Sequence, residues 1–244
     1  MSTDNALIKS FFSKMHINDF ENIFKKIDNL INSQNSDLWL IGGQIRDYYF
    51  NYPSDDIDLA TDCDINLIYN SLTNNQLFDS NMQYFSKFHT LSIKGKINKF
   101  DIAQLRNESF KNNSIVPIIN FDKSILNDLR RRDFTINTLA INLNNIHKPE
   151  LIDPYNGLKD IRNKVLRVLH PNSYINDPTR IFRAARYSAR YNLSISNKEI
   201  YLINLGIDKI HLLTKQQVDK EIKLINNEKN SMESYALLKE WGYR

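Results

Sequence analysis

The sequence is poor in residues that form covalent cross-links and in long apolar runs. One cysteine, Cys63, occurs in 244 residues, which excludes an internal disulfide or a zinc site built from cysteines and is typical of a reducing compartment. No apolar run approaches the roughly 20 residues that span a bilayer, so we expect no membrane partner. The N-terminal stretch lacks a basic segment followed by an apolar one. We therefore expect no signal peptide and a location in the cytoplasm, or in an organelle interior if the protein is organelle-encoded.

The composition is otherwise that of an ordinary globular protein. Hydrophobic residues make up 41% and charged residues 25% of the chain, and the mean hydropathy is −0.48. The length suffices for a hydrophobic core and for one or two domains. A net charge of +4 and a pI of about 8.9 are compatible with an anionic partner, but they are weak support on their own.

Hydrophobic periodicity divides the chain into an α/β part and a helical part. Apolar residues at helical spacing predict an amphipathic helix over 17–32. Further patterns predict strands at 38–41, 56–60, 90–93, 99–105 and 115–121, and helices from Gly43 to about Phe50 and at about 124–130. After the segment 153–161 the pattern is helical to the end. We therefore expect an N-terminal helical extension (1–35), an α/β head (36–145) and a helical neck (146–244).

Two adjacent glycines mark the first candidate site. They connect the apolar strand 38–41 to a helix that contains Arg46 and Asp47. Gly42 and Gly43 could simply form a tight turn, but a helix N-terminus also offers unpaired N–H groups and a positive dipole to a phosphate. Gly43 would let a phosphate approach the backbone, and Arg46 could reach the same anion. The alternative for Arg46 and Asp47 is a local surface pair.

Three carboxylates form the second candidate site. On a strand, Asp56 and Asp58 share one face, while Ile57 points to the other. Two carboxylates so close repel each other unless a cation lies between them, and oxygen ligands suit Mg²⁺. Asp101, on another predicted strand, is a third candidate, and three such carboxylates could hold metal ions for phosphoryl or nucleotidyl transfer. A D-x-D pattern alone is more often a solvated turn or a pair of helix caps.

Arginines form the third candidate site. Arg131 and Arg132 precede an apolar run and could neutralise a triphosphate or position a base. Arg180, Arg183, Arg186 and Arg190 fall within about 120° of one another on a helix, because each residue advances about 100°. A solvated basic face is the simpler interpretation of that stripe. Asp177 is a plausible N-cap of this helix, with Pro178 at its first position.

Four ordered motifs carry a resemblance to a known family. The stretches IGGQIRDYYFNYPSDDIDLAT, DLRRRDFTINTLAIN, LIDPYNGLKDIRNKVLRVL and NDPTRIFRAARY resemble, in this order, motifs of the class II tRNA nucleotidyltransferase and bacterial poly(A) polymerase family. The match covers about residues 38–192, and the helices to 244 resemble the family's neck. The resemblance implies a nucleotidyltransferase head with a mixed sheet, followed by an all-helical neck.

The resemblance also implies roles for the candidate residues. Asp56 and Asp58 would bind Mg²⁺, with Asp101 as the third catalytic carboxylate, and Gly42 and Gly43 would form the triphosphate floor. The further residues implied to bind nucleotide are Arg46, Arg131, Arg132, Asp177, Arg180, Arg183 and Arg186. Asp177 and Arg180 would act as an amino-acid template that hydrogen-bonds the edge of the incoming CTP or ATP. Many family members carry Glu where this chain has Asn176.

The activity implied is addition of nucleotides, CCA or part of it, to the 3′ end of tRNA. Alternatives within the family are a poly(A) polymerase and an enzyme that adds only A or only CC. The segments NESFKNNSIVPIINFDK and VLRVLHPNSYINDPTR are similar to members that add only the terminal A. From another class, the chain could be a non-catalytic RNA-binding remnant. Because family members usually continue into further tRNA-binding helices, we also expect weak, salt-sensitive tRNA binding, or a homo-oligomer or partner subunit.

Overall fold

A computed structural model describes residues 6–11, 13, 21–54, 56–73, 82–94, 99–110, 117–144 and 149–243. The chain divides into two compact units. The first comprises the described residues within Met1–Asn107, Ile119–Arg130 and Asn137–Pro154. The second comprises those within Glu108–Ile118, Arg131–Ile136 and Tyr155–Arg244.

A seven-stranded mixed sheet forms the centre of the first unit. Its strands are β1 (Leu38–Ile41), β2 (Asp56–Thr61), β3 (Met82–Phe85), β4 (Thr90–Lys94), β5 (Lys99–Gln104), β8 (Ala140–Asn142) and β9 (Leu151–Ile152). Their order across the sheet is β3-β4-β5-β2-β1-β8-β9. The pair β2 and β5 is parallel, and the other neighbouring pairs are antiparallel. All four residues of β1 are buried, as expected for a central strand. A separate two-stranded sheet contains β6 (Arg106–Phe110) and β7 (Pro117–Phe121).

Amphipathic helices supply the rest of the core of the first unit. The helices Glu21–Ser33 and Ile65–Thr73 contact each other, and the second also contacts β4 and β5. Their buried residues include Ile23, Ile27 and Ile31 from the first helix and Ile65, Ile68 and Leu72 from the second. Helix Gly43–Tyr49 connects β1 to β2, and helix Ile125–Arg130 follows β7.

The second unit is built around helix Thr179–Tyr191, most of whose residues are buried. Helices Asn197–Ile207, Lys215–Asn226 and Ser231–Glu240 contact it. The unit also contains the shorter helices Gly157–Asn163 and Ser173–Asn176 and a parallel pair of two-residue strands, β10 (Val165–Leu166) and β11 (Ser194–Ile195). The prediction of helix throughout this region was wrong for β10 and β11. Such short strands are fixed by their pairing, including the Ser194 N–H that donates to the Lys164 carbonyl, and leave no periodic pattern.

The expectation of a mixed α/β sheet followed by helices is confirmed. The predicted strand 38–41 coincides with β1, and the predictions for β2, β4, β5 and the helix from Gly43 differ from the structure by about a residue at their ends. Residues 17–20 and 115–116 of two predicted elements lie outside the described residues. The predicted extension, head and neck boundaries stay a prediction. Within the described part of the chain, no helix is long and apolar enough to cross a membrane.

Candidate active site

The carboxylates lie together because β2 and β5 pair in parallel. In this register Asp58 is opposite Asp101, and Asp56 is opposite Lys99. Side chains two residues apart share a face, so all four side chains lie on one face of the sheet. Ile57 is buried on the other face. The structure thus brings together the three carboxylates that the sequence singled out, and it adds Lys99.

The pKa of Lys99 reflects the negative charge of this cluster of carboxylates. Its Nζ lies 2.6 Å from Asp101 Oδ2. Burial by itself would lower the pKa of Lys99, but the hydrogen bond and charge of Asp101, together with the charges of Asp56 and Asp58, raise that pKa above its ordinary value. All three carboxylates therefore act on one ammonium group, and the local field on this face of the sheet is negative.

The carboxylates fit a hard cation. Asp101 Oδ1 is buried and has no hydrogen-bond partner among the described residues, and an orphaned carboxylate oxygen is costly unless something charged reaches it. Oxygen-only donors match the ligand preference of Mg²⁺, which keeps several waters and binds substrate phosphates. Among the described residues, no group of three or more His, Cys, Asp or Glu side chains could by itself hold a metal ion. Substrate phosphates and waters would have to complete the shell.

The Gly-Gly turn lies directly beside the carboxylates. Gly42 has φ 64° and ψ −116°, a backbone conformation that glycine adopts readily and other residues rarely do. Its N–H donates to the Leu139 carbonyl at 3.0 Å. A Cβ on Gly43 would lie 3.5 Å from both Asp58 Oδ2 and Arg46 Nη2. The absence of a side chain at Gly43 therefore keeps open the space between a carboxylate and a guanidinium.

Arg46 is a buried residue of the first unit. Its guanidinium lies 2.8 Å from Asp47 Oδ1 and donates to Asn137 Oδ1 at 2.6 Å. Arg46 and Asp47 thus form the local pair that the alternative named, but their side chains are only 6% and 7% exposed, so the pair is buried and not on the surface. Contact between Arg46 and a phosphate stays a prediction.

In the second unit, Arg180 connects several of the predicted nucleotide-binding residues. Its guanidinium donates to Ser173 Oγ at 2.5 Å and to the Arg131 carbonyl at 2.9 Å, and it lies 3.5 Å from Asp177 Oδ2. Arg131 pairs with Glu108 at 3.1 Å, and Arg132, the next residue, is partly exposed. Arg131, Asp177 and Arg180 are thus brought together.

The predicted helix start is off by one residue. The helix begins at Thr179, with Pro178 in the cap position. Asp177 still contributes, because its Oδ1 accepts from the Thr179 backbone N–H at 3.1 Å and from the Thr179 hydroxyl at 2.5 Å. The cap bond therefore comes from one residue further upstream than expected.

The arginine stripe on this helix is not a solvated face. Arg183 lies 2.6 Å from Asp133 Oδ2, and Arg186 and Arg190 both pair with Glu228. Burial alone would lower the pKa of Arg183, but the Asp133 carboxylate raises it well above the ordinary value. Arg183 and Arg186 also lie 5.3 and 4.7 Å from the Tyr187 ring centroid, within cation–π range.

Sequence reasoning missed the partners that hold these candidates in place, namely Lys99, Glu108, Asn137, Ser173 and Glu228. Lys99 could have been found, because it precedes Asp101 by two residues and so shares its face. Glu108, Asn137 and Glu228 lie 23 or more residues along the chain from the arginines they contact. Ser173 lies in a separate short helix, seven residues before Arg180, and no spacing rule relates any of these pairs.

Comparisons with known proteins identify related chains. The family model described as the poly A polymerase head domain matches residues 38–167. An A-adding tRNA nucleotidyltransferase of Halalkalibacterium halodurans is 30% identical over 231 residues, covering 91% of this chain and 53% of the relative. The chain therefore spans about half the length of this curated relative.

Two solved structures share the fold. A CCA-adding enzyme in apo form has a TM-score of 0.80 at 26% identity, covering 95% of this chain and 55% of that one. A tRNA nucleotidyltransferase complexed with a primer tRNA and an incoming ATP analog has a TM-score of 0.74 at 28% identity, covering 88% of this chain and 60% of that one. The resemblance stated from the four motifs is confirmed.

Proposed function

Because the chain belongs to the class II tRNA nucleotidyltransferase and bacterial poly(A) polymerase family, we propose that it adds nucleotides to the 3′ end of tRNA. The donors are CTP or ATP, and pyrophosphate is released. Similar solved structures, a tRNA nucleotidyltransferase complexed with a primer tRNA and an ATP analog and a CCA-adding enzyme complexed with ATP, support these partners. The lone Cys63 supports a reducing compartment such as the cytoplasm.

The observation that carries the proposal is the row of carboxylates on β2 and β5. Asp56 and Asp58 would hold Mg²⁺, which stabilises charge on the triphosphate and makes the RNA 3′-hydroxyl a better nucleophile. Asp101, the third carboxylate, would accept the proton of that hydroxyl. The 3′ oxygen then bonds to the α-phosphorus, and the bond to the β-phosphate oxygen breaks. Pyrophosphate leaves with the electron pair.

The remaining candidates bind the nucleotide in this proposal. Backbone groups at Gly42 and Gly43 approach the triphosphate, and Arg46, Arg131 and Arg132 balance its charge. Asp177 and Arg180 hydrogen-bond the base edge. Arg183 and Arg186, each already paired with an acid, position the helix that carries this template.

The test is incorporation of labelled CTP or ATP into tRNA lacking its terminus. Asp56→Asn and Asp58→Asn should each lower the rate about 100-fold or more, because a metal ion contributes several kcal/mol to such a transition state. Asp219→Asn, the same change at an exposed residue of helix Lys215–Asn226, is the matched control. Full incorporation by either site variant in saturating Mg²⁺ would refute the metal assignment. No incorporation by the unaltered protein, together with RNA binding, would indicate a non-catalytic binder.

A second candidate function is addition of the terminal A alone. It is favoured by the similarity to an A-adding enzyme. The two activities are separated by the substrate: a CCA-adding enzyme uses CTP on tRNA that ends before CCA. An A-adding enzyme uses only ATP, on tRNA that already ends in CC.

A further inference from the structure

Exposed aromatic rings lie together in the first unit, outside the site described above. Phe85 is 40% exposed, Phe88 40% and Phe121 43%. Phe85 ends the edge strand β3, Phe88 lies in the turn to β4, and Phe121 ends β7. We call these rings, together with Lys87, His89 and Arg106, the aromatic–cationic patch. Large rings left in water at a sheet edge are a liability for a monomer unless they serve binding.

Cations border the rings of this patch. Lys87 Nζ lies 5.6 Å from the Phe88 ring centroid, and Arg106 Cζ lies 5.4 Å from it. Arg106 also donates to the Phe88 carbonyl at 3.2 Å. The neighbouring carboxylate of Asp122 accepts hydrogen bonds from surrounding amides. The face around Phe88 therefore combines apolar rings with positive charge.

A histidine makes part of the patch rigid. The His89 ring stacks on Phe121 with centroids 4.0 Å apart, and His89 Nδ1 lies 2.7 Å from Gln104 Oε1. The His89 carbonyl in turn accepts from the Gln104 N–H at 2.9 Å. The patch is thus fastened to the end of β5.

The same strand carries the catalytic carboxylate Asp101. Phe85 is opposite Thr90, and Thr90 is opposite Ala103. Ala103 follows Asp101 by two residues, so Phe85 lies on the carboxylate face of the sheet. Strand spacings place Phe85 on the order of 12 Å from Asp101, a span that a few nucleotides of an extended RNA strand bridge.

We propose that the aromatic–cationic patch binds the unpaired 3′ segment of the RNA substrate. Bases stack on Phe85 and Phe88, while Lys87 and Arg106 contact the phosphates. Aromatic stacking combined with positive charge is how proteins hold single strands without reading their sequence. This inference rests on the proposed function, since the 3′ end of the bound strand would lie at the carboxylates.

The test measures binding without catalysis. Affinity for a short labelled single-stranded RNA is determined by fluorescence anisotropy, without nucleotide or Mg²⁺. Phe85→Ala and Phe88→Ala should each weaken binding about fivefold or more, and Phe88→Trp should keep it. Lys87→Gln should reduce the slope of log affinity against log salt by about 0.7. Tyr201→Ala removes a 61% exposed ring from the second unit and is the matched control.

Several outcomes would overturn the inference. These are failure of the unaltered protein to bind the RNA, unchanged affinity in both alanine variants, or full affinity in Phe88→Leu, which keeps apolar area without a π face. A change from dimer to monomer in Phe88→Ala at unchanged RNA affinity would assign the patch to a second copy of the chain. If the unaltered protein incorporates no nucleotide but Phe88→Ala still weakens RNA binding, the proposed function fails and the patch assignment stands.

Discussion

Gly206 lies so close to Tyr174 that a side chain does not fit. A Cβ at this position would be 2.6 Å from Tyr174 Cβ and 2.9 Å from its backbone. Tyr174 is fully buried, so it has no room to withdraw. Glycine in a helix interior ordinarily costs stability relative to alanine, by about 1 kcal/mol, and here close packing offsets that cost.

Gly206→Ala should therefore destabilise the protein, by about 1–3 kcal/mol, the usual cost of overpacking a core. Asn204→Ala, at an exposed position of the same helix, should change stability little. The free energy of unfolding in urea measures both. A more stable Gly206→Ala variant would mean that the two helices separate without cost.

Arg180 is the residue whose geometry most constrains base choice in the proposed function. Its planar donor fork is held by Ser173 and by the Arg131 carbonyl, and Lys cannot reproduce such a fork. Arg180→Lys should lower the discrimination among CTP, ATP, GTP and UTP as well as the overall rate, because a polar site rejects bases that leave it unpaired.

Arg167→Lys is the control for this substitution, since the Arg167 side chain is 60% exposed. Relative kcat/KM for the four triphosphates is the measurement. Equal slowing with all four, and unchanged selectivity, would exclude Arg180 from the template.

At the scale of secondary-structure elements, the carboxylate of Glu199 connects three segments of the second unit. Glu199, in the first turn of helix Asn197–Ile207, accepts from the Tyr174 hydroxyl at 2.6 Å and from the Val168 N–H at 3.2 Å. It is only 3% exposed. Burial raises its pKa above the ordinary value of 4.5, although both hydrogen bonds oppose the shift.

This raised pKa of Glu199 determines the direction in which the stability of the protein changes with pH. The native state holds the proton more tightly than the unfolded chain, so the stabilising contribution is complete below about pH 4.5 and is lost as pH rises through the native pKa. Glu199→Gln keeps an acceptor oxygen but never ionises. It should be more stable than the unaltered protein at neutral pH and lose this advantage near pH 4.

Thermal unfolding across that pH range checks the prediction, with Glu233→Gln, an exposed change on helix Ser231–Glu240, as the control. A Glu199→Gln variant that is less stable at every pH would show that the charged carboxylate itself stabilises the fold.

Each compact unit contains one tryptophan, whose fluorescence can report on the unfolding of that unit. The two tryptophans of the chain are Trp39 on β1, in the first unit, and Trp241 in the second, and both are 4% exposed. Single-tryptophan variants, Trp241→Phe and Trp39→Phe, therefore report on one unit at a time.

Mg²⁺ should raise the unfolding midpoint reported by Trp39 and leave that reported by Trp241 unchanged. The physical reason is that a cation relieves the repulsion between Asp56 and Asp58, the proposed Mg²⁺ ligands, in the native state alone. Denaturant titrations followed by fluorescence, with NaCl at equal ionic strength as the control, measure both midpoints. Equal shifts of the two would contradict a site confined to the first unit, and Asp58→Asn should abolish the Trp39 shift.

Much of the fold could be predicted from local sequence patterns, and the rest depends on which strands and side chains pair with each other. Alternation predicted that Asp56 and Asp58 share a face, but only the parallel register with β5 shows that Asp58 is opposite Asp101. The edge strand β3 and the short strands β8 and β9 were not predicted, because strands this short do not show a recognisable alternation of apolar and polar residues. The helical wheel placed four arginines on one stripe. It could not show that three of them pair with Asp133 and Glu228, since those partners come from distant positions.

The position of β1 between β2 and β8 has a consequence for synthesis on the ribosome. After Ile41 has emerged, roughly 100 residues must still be translated before Ala140–Asn142 is available to pair with it, which takes on the order of 5–20 s at ordinary elongation rates. Throughout that interval an apolar strand keeps one row of N–H and C=O groups open, a template for any neighbouring nascent chain. Slow translation between β1 and β8 should therefore favour aggregation and chaperone capture, whereas a pause after residue 152 should be harmless.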